Sequence, residues 1–131
     1  MRTNDVHPEV RRAVLEFAKW VRRNSDFPVR VPIYLSAREM LVTREKKLAP
    51  ASFFAPTEKS VEPYIRIATG DFLKRRRIHG RDNALASILC SIAHELVHYN
   101  QWLNDHEFRE READKIARRM LRSYSKEVLH P

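Results

Sequence analysis

The chain has 131 residues, 43% of them hydrophobic and 32% charged, with a formal net charge of +8; this length fits a single domain, 1–131, and the composition excludes a disordered or fibrous protein. The single cysteine, Cys90, excludes an intrachain disulfide. The sequence has no signal-peptide segment and no apolar run long enough to cross a membrane, which predicts a cytoplasmic protein with no membrane partner. The positive charge is compatible with an acidic partner, but the basic run 74–77 has no interleaved aromatic residues and does not by itself indicate nucleic-acid binding.

The first third of the chain predicts a helix and then a strand. Between Pro8 and Arg23 the apolar residues recur at helical spacing, with basic residues on the opposite side. The segment 29–35 is rich in β-branched residues and contains Pro32, which lacks a backbone donor, so we expect a strand at or near a sheet edge. A short helix is expected to follow over 36–44.

The middle of the chain predicts loops and short strands. Three prolines between residues 48 and 63 indicate a loop, with a short strand over 52–55. Residues 64–68 alternate between apolar and other side chains and predict a strand. A turn at 69–71 and the basic run then lead to Asp82, which we expect to cap the next helix.

Two helices are predicted for the rest of the chain. The first, over 83–103, has apolar residues in nearly every direction around its axis, which is typical of a helix buried on most sides. The second is expected over 107–124, and 125–131 should form a tail. Polar groups that interrupt the buried helix therefore need a chemical explanation.

The run His94-Glu95-Leu96-Val97-His98 supplies such an explanation. Residues four apart on a helix lie one turn above each other, so the two imidazoles can bind a single ion. Glu95 lies about 100° round the axis, within reach of a metal-held water. The spacing predicts a Zn²⁺ site in which His94 and His98 are ligands and Glu95 is the general base.

A catalytic zinc needs a third protein ligand. The candidates downstream are His106, Glu107, Glu110 and Glu112. At 100° per residue, Glu110 falls near the apolar stripe of the last helix and faces inward, whereas Glu112 falls outside it. Asp114 lies one turn later and could accept the second ring N–H of a zinc-bound histidine. His106 stays open as an alternative third ligand.

The HELVH run and the later Glu-Arg-Glu-Ala-Asp run, 110–114, together resemble the gluzincin metallopeptidases, and the short chain looks most like the minigluzincins or the ImmA/IrrE-type peptidases. The resemblance implies an α+β fold with a small sheet of about three strands over the active-site helix and a second, glutamate-bearing helix. It also implies Glu110 as the third ligand and an edge strand that binds an extended peptide. We expect that strand to be Tyr64-Ile65-Arg66-Ile67-Ala68. A similarity to the SprT-like proteins would instead make His106 the ligand.

The expected activity is zinc-dependent hydrolysis of peptide bonds in a peptide or protein substrate. Glu95 would take a proton from the metal-activated water and pass it to the leaving amine. The tetrahedral oxyanion needs a further donor. The candidates are His106, Tyr99, Tyr124, Arg109 and His130.

Two alternatives stay open at this point. The C-terminal residues 128–131 follow directly from the glutamate-bearing helix and could fold back over the cleft, which would make the enzyme latent, as the resemblance to minigluzincins implies. The chain could also be a zinc-stabilised module that binds protein or, through 74–77, nucleic acid, without catalysis. The sequence does not predict an oligomeric state.

Overall fold

Four helices and two small sheets make up the α+β fold of the computed structural model, which describes residues 5–128. The fold class expected from the sequence is thereby confirmed. In chain order the elements are α1 (Pro8–Asn24), β1 (Ile33–Ser36), β2 (Leu41–Val42), β3 (Leu48–Ala49), β4 (Ala51–Phe54), β5 (Tyr64–Ala68), α2 (Phe72–His79), α3 (Arg81–Leu103) and α4 (Glu110–Glu127).

The larger sheet has the strand order β1-β5-β4, with β1 parallel and β4 antiparallel to β5. The strand expected over 64–68 is present, but the expectation that it forms an edge is wrong, because β5 is the central strand. Ile65 and Ile67 are fully buried there between the sheet and the helices. The edges are β4 and β1, and β1 is preceded directly by Pro32, the residue that predicted an edge.

The helix expected over 36–44 is absent, and a hairpin of β2 and β3 takes its place. Leu41 is buried, and Lys46 turns the chain with a φ of 62°. The preceding bend lies against Gly70, where an added Cβ would stand 2.3 Å from the carbonyl oxygen of Ala37. Contact with the end of β5 therefore sets the path of this segment, which local helix propensity does not reveal.

The basic run 74–77 lies on α2, a helix that the sequence analysis did not predict. Arg76 and Arg81 both contact the carboxylate of Glu9 on α1, at 3.3 Å and 3.0 Å. The expected cap of the next helix is also wrong, since Gly80, with a φ of 89°, is the N-cap and Asp82 lies in the first turn.

Helix α3 lies at the centre of the fold and is buried on most sides, as its composition predicts. It packs against α1 on one side, against α4 on another and beneath β4 and β5. Leu85, Ile88, Ile92 and Leu96 contribute to a large apolar cluster together with residues of α1. The sheet, α1 and α4 therefore all position the same helix.

Helix α4 ends at Glu127, three residues beyond the expected end, so 125–127 is helical rather than part of a tail. The indole N–H of Trp20 donates a hydrogen bond to the Glu127 carboxylate, which anchors this end of the helix. Of the segment 128–131 that could fold back, Val128 packs against the apolar cluster, and Leu129, His130 and Pro131 lie outside the described residues. Among the helices described, none combines the length and the apolar character needed to cross a bilayer.

Candidate metal centre

The two histidines of α3 lie one turn apart on the face that meets α4. Their Nε2 atoms are 3.1 Å apart, and the two rings meet at an interplanar angle of 78°. The His98 side chain is only 6% exposed and that of His94 18%. Because α3 is held by packing on several sides, this geometry is set by the backbone of a buried helix.

Glu110 at the first turn of α4 completes the cluster. Its Oε2 lies 2.8 Å from the Nε2 of His94, and its Oε1 lies 2.9 Å from the Nε2 of His98. The carboxylate is 73% exposed, so it approaches the histidines from the solvent side. One ligand atom from each of these three residues lies within 4.8 Å of the others.

The outer nitrogen of each histidine contacts a side-chain oxygen. The Nδ1 of His94 lies 2.9 Å from the Oδ1 of Asp114, and the Nδ1 of His98 lies 2.8 Å from the Oε1 of Gln101. Carboxylate and amide oxygens accept, so each Nδ1 carries the proton and donates it. In the neutral imidazoles both Nε2 lone pairs then face each other and the Glu110 carboxylate. Such a group of acceptors requires a cation, either protons on the imidazoles or one shared metal ion.

The spacing of the cluster is compatible with zinc. Tetrahedral zinc with bonds of about 2.0–2.1 Å requires ligand atoms about 3.3 Å apart. The shortest separations are a few tenths of an ångström less: 3.1 Å between the two Nε2 atoms, and 2.8 and 2.9 Å from them to the two different oxygens of Glu110. A small outward shift of the exposed Glu110 carboxylate and of the His94 ring would reach the required spacing. Two imidazoles and one carboxylate are also a donor set typical of zinc enzymes.

Glu95 is buried beside this cluster and is 8% exposed. Its pKa is raised to about 7, chiefly by burial; the neighbouring His98 opposes the rise and Glu110 adds to it. The carboxyl lines the same cleft as the three ligand candidates without belonging to their cluster. Its place therefore suits proton transfer rather than metal binding.

The cluster opens into a cleft of about 760 Å³. Ser87, Cys90 and Ser91 line one wall, on the two turns of α3 that precede His94. Ala51 and Phe53 of β4 line the other wall. Small side chains on α3 and the edge of the sheet thus leave an extended groove beside the histidines. Cys90 is half-buried: it lines this groove and also packs against the apolar cluster.

Two of the predicted oxyanion donors lie elsewhere, and that prediction is wrong for them. The hydroxyl of Tyr99 donates to the carbonyl oxygen of Val29, and its ring is buried among aromatic residues on another side of α3. Tyr124 packs against Phe17 and Trp20 in the core. Each tyrosine is on the helix predicted for it, but its direction around the axis leads away from the cleft.

His106 does not join the histidine pair. It is exposed on the segment between α3 and α4, and its backbone N–H donates to the carbonyl oxygen of Gln101. Of the two candidates for third ligand, it is Glu110 that the structure brings to His94 and His98. Asp114 is also where the helical layout predicted, against His94.

Two residues of the site, Gln101 and Phe108, were not predicted from the sequence. Gln101 lies three positions after His98, a spacing at which helical side chains meet, and that signal was available. Phe108 lies between the two helices, with its ring 4.9 Å from that of His98 and 6.2 Å from that of Phe53. Phe108 falls inside the helix expected over 107–124, but α4 begins at Glu110, so Phe108 lies on the connecting segment and helical spacing gives no indication of that contact.

Comparison with protein-family models, curated proteins and solved structures finds no match for the chain. The resemblance to zinc metallopeptidases therefore rests on the two short motifs. The geometry of the site is the remaining basis for a function.

Proposed function

We propose that the protein is a zinc-dependent endopeptidase of the gluzincin type, with His94, His98 and Glu110 as ligands. The observation that carries the proposal is that three acceptor groups meet at one point: the two Nε2 atoms and the Glu110 carboxylate. The Nδ1 atoms of the same histidines already have other hydrogen-bond partners. Both Nδ1 atoms contact side-chain oxygens, while both Nε2 atoms lie within 2.9 Å of the Glu110 carboxylate. One divalent ion satisfies all three groups at once.

An open cleft supports a catalytic rather than a structural ion. Structural zinc sites are usually closed by four protein ligands, whereas catalytic sites keep three and leave a position for water or substrate. In the described residues the cluster has three members and adjoins the 760 Å³ cleft. Glu95 on that cleft is the further feature that a purely structural site would not need.

Zinc, when bound, supplies a Lewis acid that activates water and polarises a peptide carbonyl. Glu95 accepts the proton of the attacking water and carries it to the leaving amine. In the metal-free chain burial raises the pKa of this carboxyl to about 7. The charge of a bound ion would lower that pKa and favour the carboxylate, the form that accepts a proton. Asp114 and Gln101 hold the two imidazole rings in place through their Nδ1 atoms.

The edge of β4 is the proposed binding site for an extended peptide, in place of 64–68. The backbone N–H of Ala68 donates to the carbonyl oxygen of Pro50, so these two residues form a hydrogen-bonded pair. Hydrogen-bonded pairs alternate along an antiparallel ladder, so the next ones are Ser52 with Arg66 and Phe54 with Tyr64. The backbone groups of Ala51 and Phe53 therefore point away from β5. Both residues line the cleft, so a peptide that pairs with them would lie along the metal centre.

Glu95→Gln tests catalysis separately from metal binding. Reconstituted with zinc, the wild type is expected to cleave an unstructured protein such as casein. The variant should keep about one zinc per chain and lose about 10²- to 10⁴-fold in cleavage rate, the range for general acid–base catalysis. Glu39→Gln, the same change at an exposed position outside the cleft, should leave the rate unchanged.

The outcome also separates the proposal from the binding-module alternative. If the wild type binds zinc but is as inert as Glu95→Gln, a zinc-stabilised module is the better account. A module that binds nucleic acid would use the exposed helix α2, but Arg75 and Arg76 already contact the carboxylates of Asp71 and Glu9. Failure of the wild type to bind zinc would contradict both accounts.

A further inference from the structure

The glutamine that contacts the Nδ1 of His98 is itself buried next to the metal centre. Gln101 is only 3% exposed, and its Oε1 lies 2.8 Å from the Nδ1 of His98. A buried side-chain amide is costly unless its donors and its acceptor are satisfied. The other end of the amide therefore needs a partner of its own.

Glu112 on α4 is that partner. The Nε2 of Gln101 donates to the Oε1 of Glu112 over 3.3 Å. An ionised carboxylate only accepts hydrogen bonds, so it selects the orientation in which the amide NH₂ group faces Glu112. The amide oxygen must then face His98, and it accepts the Nδ1 proton.

This orientation has a direct effect on the imidazole. With the proton held on Nδ1, the neutral ring has its lone pair on Nε2, the atom that faces Glu110 and His94. The reverse orientation of the amide would present an NH₂ group to Nδ1 and favour a proton on Nε2, where it would block metal binding. Glu112 thus determines the state of His98 through Gln101.

The same contact also joins the two helices that carry the ligands. Glu112 lies two residues after Glu110 in the first turn of α4, whereas Gln101 lies in the last turn of α3. The backbone N–H of His106 donates a further hydrogen bond, of 2.8 Å, to the carbonyl oxygen of Gln101. This bond holds the segment that connects the two helices. The start of α4 therefore contributes three carboxylates to the centre: Glu110 to both Nε2 atoms, Asp114 to His94 and Glu112 to Gln101.

We propose that Gln101 and Glu112 form a positioning pair that holds His98 in its Nδ1–H tautomer and aligns it with Glu110 before the metal binds. The inference rests on the proposed metal centre and extends it by two residues. Neither side chain contacts the metal or the substrate. Both act through His98 and through the placement of α4.

The first test is whether the Nδ1 of His98 carries a proton in the metal-free chain, read from the nitrogen-15 chemical shift and the directly bonded proton. The wild type should show the Nδ1–H form. Gln101→Leu should move the population toward Nε2–H. Asn100→Leu, the same kind of change at the exposed neighbouring position, should leave the tautomer as in the wild type.

The second test is zinc affinity, measured by competition with a chromophoric chelator. Gln101→Leu is expected to raise the Kd for zinc about 10- to 100-fold, the usual effect of losing a hydrogen-bond partner of a ligand. Glu112→Leu should have a smaller effect in the same direction, because the amide can rotate but stays in place. Glu112→Gln keeps an acceptor oxygen for the Gln101 amide and should restore most of the affinity.

Three results would overturn the inference. An Nε2–H tautomer of His98 in the wild type does so without any variant, which covers the case in which Gln101→Leu fails to fold. An unchanged Kd in a folded Gln101→Leu protein refutes the pair alone and leaves the proposed function standing. A wild type that binds no zinc refutes the proposed function, and the inference with it.

Discussion

The two opposite faces of α3 are held in place by different interactions. Ile92 and Leu96 face α1 and lie in the apolar cluster. His94 and His98 each follow one of these residues by two positions, which places them about 160° away round the helix axis. They contact the acidic start of α4. One face is fixed by buried apolar area, and the other by a few hydrogen bonds to oxygen atoms.

This difference separates stability from chemistry. Apolar burial is not directional, so the α1 face tolerates changes in detail but not loss of volume. Hydrogen bonds to imidazole depend on direction and on which nitrogen carries the proton. We therefore expect changes on the α1 face to alter the free energy of unfolding, and changes on the α4 face to alter metal affinity and catalysis.

The largest expected effect is on the α1 face. Phe17 is fully buried and packs against Trp20 and Tyr124. Phe17→Ala should lower the free energy of unfolding by about 3–5 kcal/mol because it leaves a cavity, as measured by urea denaturation. The folded fraction should still bind zinc with the wild-type stoichiometry. A loss of zinc binding by folded molecules would contradict the separation of the two faces.

Glu95 is an exception to this separation, because as a buried acid it affects both stability and catalysis. Its pKa is raised to about 7, so its ionised form disfavours folding. Protonated Glu95 favours the folded state. This contribution to the free energy of unfolding is complete below the unfolded-state pKa, near 4.3, and is lost as the pH rises through the folded-state pKa of about 7. Glu95→Gln should therefore stabilise the metal-free chain by roughly 3 kcal/mol at pH 8 and by almost nothing at pH 4.

Denaturation of both metal-free proteins at the two pH values measures this difference. The matched control is Glu39→Gln, which removes an exposed carboxylate and should change stability equally at both pH values. If Glu95→Gln is no more stable than the wild type at pH 8, burial of the carboxyl does not raise its pKa as described.

On the α4 face, Asp114→Ala should act on affinity and spare stability. Asp114 is 62% exposed and contacts the Nδ1 of His94. Its loss is expected to raise the Kd for zinc about 10- to 100-fold, while the free energy of unfolding of the metal-free chain changes by less than about 0.5 kcal/mol. Lys115→Ala, at the next and also exposed position, should change neither quantity. Equal effects of the two variants would contradict a specific role of Asp114.

The smallest expected effect concerns the edge of the sheet. Ala51→Pro removes a backbone N–H that points away from β5, whereas Ser52→Pro removes one that pairs with β5. Only the second should destabilise the fold. Ala51→Pro should lower kcat/KM by about fivefold, the value of one hydrogen bond of about 1 kcal/mol. A Ala51→Pro variant that cleaves as well as the wild type would remove β4 as the substrate strand.

The sequence predicted those parts of the site that depend on helical geometry alone. The spacing of His94 and His98, and the directions of Glu110 and Asp114, follow from 100° per residue. The position of β5 within the sheet does not, because strand order depends on which segments meet in three dimensions. The prediction of an edge over 64–68 was wrong for that reason.

The tyrosines illustrate the same limit. Tyr99 is adjacent to His98 in sequence, but one residue along a helix is 100° away, and its hydroxyl reaches Val29. Gln101 could have been found, since it lies at the i+3 position from His98. Its partner Glu112 could not, because the helical layout places it outside the apolar stripe and only the approach of α3 gives it a function.

The most direct test of the account is the coordination shell of zinc in a crystal of the reconstituted chain. The account predicts one ion per chain, bound by the Nε2 atoms of His94 and His98 and by the Glu110 carboxylate at about 2.0–2.2 Å, with a further position open to the cleft. A shell that contains His106 in place of Glu110, or a histidine pair that binds no ion in excess zinc, would contradict it.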